Sequence, residues 1–156
     1  MTNKGFTLIE LIVTIVVLGI LAVTAAPKFM NIQGDARKAT LSGLEGALKS
    51  SVGIVYGKAV LNGVEKGQAI VEVNNKSIAV IDGTPVASKT NLGHIVQTDI
   101  QAFNGVTNGH TGPHVVVFGF QKTAKAVYDS QCYLQATNIE NNNETIFVTS
   151  IFSDGC

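Results

Sequence analysis

Phe6 to Ala26 reads FTLIELIVTIVVLGILAVTAA, 21 residues in which Glu10 is the only charge. At about 1.5 Å per residue a helix of this length covers roughly 30 Å, the thickness of a bilayer's hydrocarbon core. The run therefore predicts a helix able to span a membrane. On its N-terminal side stands only the polar leader Met1-Thr2-Asn3-Lys4-Gly5. Lys4 favours a cytoplasmic N-terminus by the positive-inside rule. A secretory signal has other proportions: a charged start, a shorter apolar core and a small-residue cleavage site after that core.

Beyond this run the composition is that of one ordinary domain. The 156 residues include 11 basic and 11 acidic side chains, a net charge of zero. Mean hydropathy is +0.29, and the apolar run accounts for the excess. Binding to nucleic acid rests on neutralising phosphates with Lys and Arg, and a balanced chain without a basic run gives no reason to expect it. No nucleophile elbow, phosphate loop or dinucleotide fingerprint occurs, and we expect neither an enzyme nor a cofactor site. His110 and His114 stand four apart, but Gly112 and Pro113 intervene, so no helix presents both to a metal. We therefore expect no metal site.

Glu10 is the anomaly, because a carboxylate inside a membrane helix costs about 2.5 kcal/mol or more unless it has a partner or a role. Its sequence surroundings, Lys4-Gly5-Phe6-Thr7-Leu8-Ile9-Glu10-Leu11 followed by the long apolar run, resemble the prepilin signature of type IV pilins. That resemblance implies removal of residues 1–5 by a prepilin peptidase that cuts between Gly5 and Phe6. It also implies N-methylation of the new Phe6 terminus. Cleavage would create a cationic amine, which could pair with Glu10 within one chain or between staggered copies. The resemblance favours the second version, with Phe6 and Glu10 setting register during subunit assembly. Gly19 weakens a helix and Pro27 removes a helix hydrogen bond, so the stretch between them is a candidate for bending or unwinding. In pilins of this kind the corresponding segment is thought to melt on packing into the filament.

Past Pro27 the pattern becomes amphipathic. Ile32, Ala36, Ala39 or Thr40, Gly43 or Leu44, Ala47 or Leu48, Val52 and Val55 recur at helical spacing. We expect one helix from Phe6 to about Tyr56, with Gly57 as its stop. A hairpin of residues 69–73 and 77–81 around Asn74-Asn75-Lys76 should follow, closed by a turn at Asp82-Gly83-Thr84-Pro85. A short helix within 91–103, a loop over 103–113, and strands at 114–120, 126–136 and 145–152 complete the reading. The expected fold class is α+β: a long N-terminal helix, membrane-spanning in its first half, packed on an antiparallel β-sheet of about four strands. This is also the type IV pilin fold that the resemblance implies. The expected organisation is a leader at 1–5, a transmembrane and filament-core helix at 6–27, and a globular head at 28–156.

Cys132 and Cys156 are the two cysteines. In an exported protein such a pair reads as one disulfide, and two free thiols are the alternative. Type IV pilins typically carry a C-terminal disulfide loop of this kind. Leu21-Ala-Val-Thr-Ala-Ala-Pro-Lys-Phe29, Asp35-Ala-Arg37, Gly53-Ile-Val-Tyr-Gly-Lys-Ala59 and Gly155-Cys156 further resemble the pilins of mannose-sensitive haemagglutinin (MSHA) pili. That likeness implies surface adhesion and biofilm attachment, with a host or surface glycan as candidate ligand. It implies self as the main partner in a helical homopolymer, together with the pilus assembly machinery. The chain would rest in the bacterial inner membrane before assembly and in the extracellular pilus afterwards. Two alternatives remain: a major pseudopilin of a type II secretion system, and a signal-anchored membrane protein or enzyme. Major pseudopilins usually rely on a C-terminal calcium site instead of a disulfide, and here Asp154 is the only carboxylate after Glu144.

Overall fold

The computed structural model describes residues 5–105, 114–142 and 144–156, with the side chains of Met30 and Asn31 outside that description. Met1–Lys4, the 106–113 part of the expected loop with His110, and Asn143 lie outside the described residues. Among the described residues the order is α1 (Leu8–Leu61), β1 (Gln68–Val73), β2 (Lys76–Ile81), β3 (Thr84–Pro85), α2 (Lys89–Ile95), β4 (Gln101–Asn104), β5 (Val115–Gly119), α3 (Ala124–Asp129), β6 (Tyr133–Asn141) and β7 (Glu144–Phe152). The chain divides into two compact units, residues 1–36 and residues 37–156.

The first unit contains the N-terminal part of α1. Its apolar window is long enough to cross a membrane, with a mean hydropathy of 2.7, and none of that window is buried. Ile32, expected on a buried face, is 57% exposed here. The helix begins to bury side chains only at Leu41.

In the second unit, Leu41, Leu44, Leu48, Val55 and Ala59 of α1 are buried, the three-and-four spacing of one helix face. Gly57 does not stop the helix, because Ala59 still has a core partner in the β1–β2 hairpin. The stop is Gly63, at φ 68°. Its N–H donates to Val60 O, and the Val64 N–H donates to Ala59 O, each at 3.0 Å. A left-handed residue with these two bonds is the Schellman arrangement, which glycine adopts without a Cβ penalty.

The head carries two antiparallel sheets, one of three strands in the order β1-β2-β3 and one of four in the order β4-β5-β6-β7. The hairpin forms around Asn74 and Asn75, both left-handed at φ 51° and 59°, the conformation a tight two-residue turn demands. After the Asp82-Gly83 turn, Thr84 and Pro85 pair back onto Ile81 and Val80. The sequence reading had placed all four residues in a turn. In the larger sheet β4 joins the edge, which leaves room for only the short helix α2 before it.

A second departure concerns residues 126–136, expected as a strand. Ala124–Asp129 is instead helical, and only Tyr133 onward is strand. Thr123 caps this helix, its hydroxyl oxygen accepting from the Ala126 N–H at 3.2 Å. Lys125 and Asp129 pair one turn apart at 2.6 Å. A capping threonine and an i,i+4 ion pair favour helix over strand locally.

Every residue of β5 is buried, because the larger sheet is covered on both faces. Val116, Phe118, Leu134 and Ala136 pack with Leu41, Leu44 and Leu48 of α1, and with Leu92 and Val96. Val117 and Tyr133 pack on the other side with Val127 of α3. The smaller sheet has its own core, in which Val71, Ile78 and Val80 meet Val55 and Ala59.

Candidate functional site

Phe6, Thr7 and Glu10 form the candidate assembly site at the start of α1. Gly5 and Phe6 precede the helix, and Phe6 is 86% exposed. Thr7 is the residue before the first helical one, and its carbonyl accepts the Leu11 N–H at 3.3 Å. Its own N–H donates to Glu10 Oε2 at 2.9 Å and its hydroxyl donates to the same oxygen at 2.8 Å. The Glu10 N–H in turn lies 3.3 Å from Thr7 Oγ1.

These reciprocal contacts make a capping box, in which a threonine and a glutamate three residues later satisfy orphan donors of the first helical turn. The carboxylate also lies at the positive end of the helix dipole. Thr7 was missed in the sequence reading although its signal was there, since Thr-x-x-Glu before an apolar run is the box's own pattern. Phe6, Ile9, Glu10, Val13 and Thr14 together line a shallow depression on this helix surface. The hydroxyls of Thr14 and Thr24 donate to carbonyls of their own helix, Leu11 O at 2.8 Å and Leu21 O at 3.0 Å. Glu10 is thus the single ionisable side chain of the apolar run, and it stands one helical turn from the Gly5–Phe6 bond.

The helix is continuous through Gly19 and Pro27. Around Gly19 there is open space, with nothing within 4 Å of where a Cβ would stand.

A second set of candidate residues closes the head. Cys132 and Cys156 are disulfide-bonded, with Cα atoms 4.8 Å apart and a sequence separation of 24. Gly155 reaches this position through backbone contacts: its N–H donates to Gln131 O at 3.1 Å. A Cβ added at Gly155 would stand 1.8 Å from Ser130 O, so only glycine fits this approach. Beside this loop Tyr133 stacks on Phe152 with ring centroids 4.6 Å apart. Among the described residues no cluster of His, Cys, Asp or Glu is arranged to hold a metal.

A model of the prokaryotic N-terminal methylation motif matches residues 1–26 of the chain. That match covers the start of the exposed apolar helix α1. The relatives agree with it. One is the type IV narrow pilus major component PilA5 of Thermus thermophilus, 41% identical over 54 residues, which cover 35% of this chain and 47% of that protein. Another is a fimbrial protein of Dichelobacter nodosus, 35% identical over 96 residues, covering 58% of this chain and 60% of the relative. The matched segments thus span about half the length of these curated relatives. No solved structure gives a significant match.

Proposed function

We propose that this chain is the structural subunit of a type IV pilus, held in the inner membrane by α1 and polymerising through that helix once residues 1–5 are removed. The observation that carries the proposal is a fully exposed apolar window with one carboxylate, Glu10, a single turn from the Gly5–Phe6 bond. An apolar helix of this length left bare in water would cost on the order of tens of kcal/mol, so a membrane or other copies must cover it. Cleavage converts Phe6 into an α-amine, N-methylated in the mature chain, which pairs with Glu10 of a neighbouring copy and fixes the stagger between them. Gly19 and Pro27 lower the helix's resistance to local unwinding as copies pack. Residues 6–27 would then form the filament core, with residues 28–156 as the surface-exposed head.

The adhesive, biofilm-forming role of MSHA-like pili is the finer reading, supported by the matching stretches Leu21–Phe29 and Gly53–Ala59. A surface glycan is the ligand class it suggests. The Cys132–Cys156 bond favours a pilin over a calcium-dependent pseudopilin.

Mass spectrometry of the mature N-terminus tests the processing step: a methylated Phe6 is expected, and a retained Met1 rejects it. For assembly, Glu10→Val should leave membrane insertion intact and abolish filaments seen by electron microscopy. Normal filaments from that variant would refute the role given to Glu10.

A further inference from the structure

Asparagine followed by glycine is the pairing most prone to spontaneous loss of the side-chain amide, because glycine puts no side chain in the way of its own nitrogen. Two such pairs lie among the described residues, Asn62-Gly63 and Asn104-Gly105, whereas Asn108-Gly109 lies outside them. Their neighbours are nearly the same, Leu61-Asn62-Gly63-Val64 against Phe103-Asn104-Gly105-Val106. As bare sequence the two would react alike. The fold separates them.

Asn62 and Gly63 follow the last helical residue of α1, and Val60 to Gly63 are all exposed. The Asn62 side chain has no hydrogen-bond partner among the described residues. One bond restrains the attacking nitrogen, Gly63 N–H to Val60 O at 3.0 Å, and the last turn of a helix frays at small cost. Asn104-Gly105 is held at both reacting groups. The Asn104 Oδ1 accepts the Lys89 N–H at 2.8 Å. The Gly105 N–H donates to Val115 O at 2.7 Å, extending the β4–β5 ladder beside the buried Val115. Freeing that nitrogen means parting the end of β4 from β5. From this contrast we infer that Asn62 is a site of spontaneous deamidation in the folded chain, and that the fold protects Asn104. The inference stands apart from the assembly reading.

The step balances with water alone. Gly63 N gives its proton to hydroxide and attacks Asn62 Cγ. The N–Cγ bond forms, the Cγ–Nδ2 bond breaks, and ammonia leaves. Water then opens the cyclic imide, at one carbonyl to aspartate and at the other to isoaspartate. Either product loosens the end of α1. Aspartate adds a negative charge at the negative end of the helix dipole. Isoaspartate inserts a methylene into the backbone, across which the Val64 N–H must still reach Ala59 O.

The test incubates the full-length chain in detergent micelles at mildly alkaline pH, beside a sample unfolded in urea with reductant. Peptide mapping by mass spectrometry then follows aspartate and isoaspartate at positions 62 and 104 over time. In the folded chain, conversion at 62 should outrun that at 104 by about tenfold or more, the ratio set by about 1.4 kcal/mol of extra opening free energy. In urea the two rates should converge. Equal rates in the folded chain would overturn the inference. The same bias persisting in urea would also overturn it, because the difference would then belong to the sequence and not to the fold.

Discussion

Asp82 ties the smaller sheet to the last strand of the larger one: its Oδ2 accepts the Thr145 N–H at 2.8 Å. The other oxygen, Oδ1, accepts the Gly67 N–H at 2.9 Å from the segment before β1. One carboxylate in a left-handed turn, at φ 49°, therefore joins three stretches of chain. Lys66 and Glu144 form an ion pair from the residues next to Gly67 and Thr145.

These hydrogen bonds, first those from the Gly67 and Thr145 backbone, hold the Asp82 carboxyl below its ordinary pKa. A folded-state pKa below the unfolded one of about 3.9 gives stability that is complete above that unfolded value. It is lost as pH falls through the folded pKa. Thermal melts of the head across pH 2–6 should therefore steepen below about pH 4. Asp82→Asn should melt lower at neutral pH and lose part of that acid slope; an unaltered slope would refute the tie.

Asn138 makes the second link between the sheets. Its Oδ1 accepts the Ala87 N–H at 2.5 Å and its Nδ2 donates to Pro85 O at 3.2 Å. Ala87 and Pro85 are buried, so truncation leaves two backbone groups unpaired away from water. Asn138→Ala should cost about 1–3 kcal/mol in urea unfolding of the head. A change within a few tenths of a kcal/mol would mean that water replaces the side chain.

The disulfide closes a loop for which the chain-entropy model gives about 3–4 kcal/mol. Cys156→Ser should accordingly lower the melting temperature of the head, and reduction of the unaltered chain should lower it to a similar extent. Equal melting with and without reductant would count against the staple.

Gly155 permits that bond. Gly155→Ala forces the added methyl against the Ser130 carbonyl, a backbone atom that cannot swing aside. We expect a loss of about 1–3 kcal/mol, with slower disulfide formation on refolding. Wild-type stability and oxidation rate in the alanine variant would show that the loop shifts freely.

The extent of foresight differed among elements for physical reasons. The long helix was legible because an apolar run and an amphipathic repeat are both local signals, and the hairpin because Asn74-Asn75 suits a left-handed turn. Gly57 misled because a glycine's helix penalty of about 1 kcal/mol is smaller than the benefit of burying Ala59 and Val55 against the hairpin. The strand expected over 126–136 failed at its start, where the Thr123 cap outweighed the alternating pattern. The split into two sheets was not legible, since it depends on Asp82 and Asn138 meeting partners 63 and 51 residues away. At the candidate site, Glu10 stood out as the lone charge in a greasy run. Thr7 did not, because its part is visible only as the first half of a pair.

The covalent ring from Cys132 to Cys156 encloses β6 and β7 with every residue pair of their ladder. A pull on the head through its long helix can lengthen only the chain that lies outside the ring. Were the smaller sheet or β4 to give way under load, the slack released would end at Cys132. The loop therefore acts as a mechanical stop, capping how far the molecule can stretch while its last two strands stay registered.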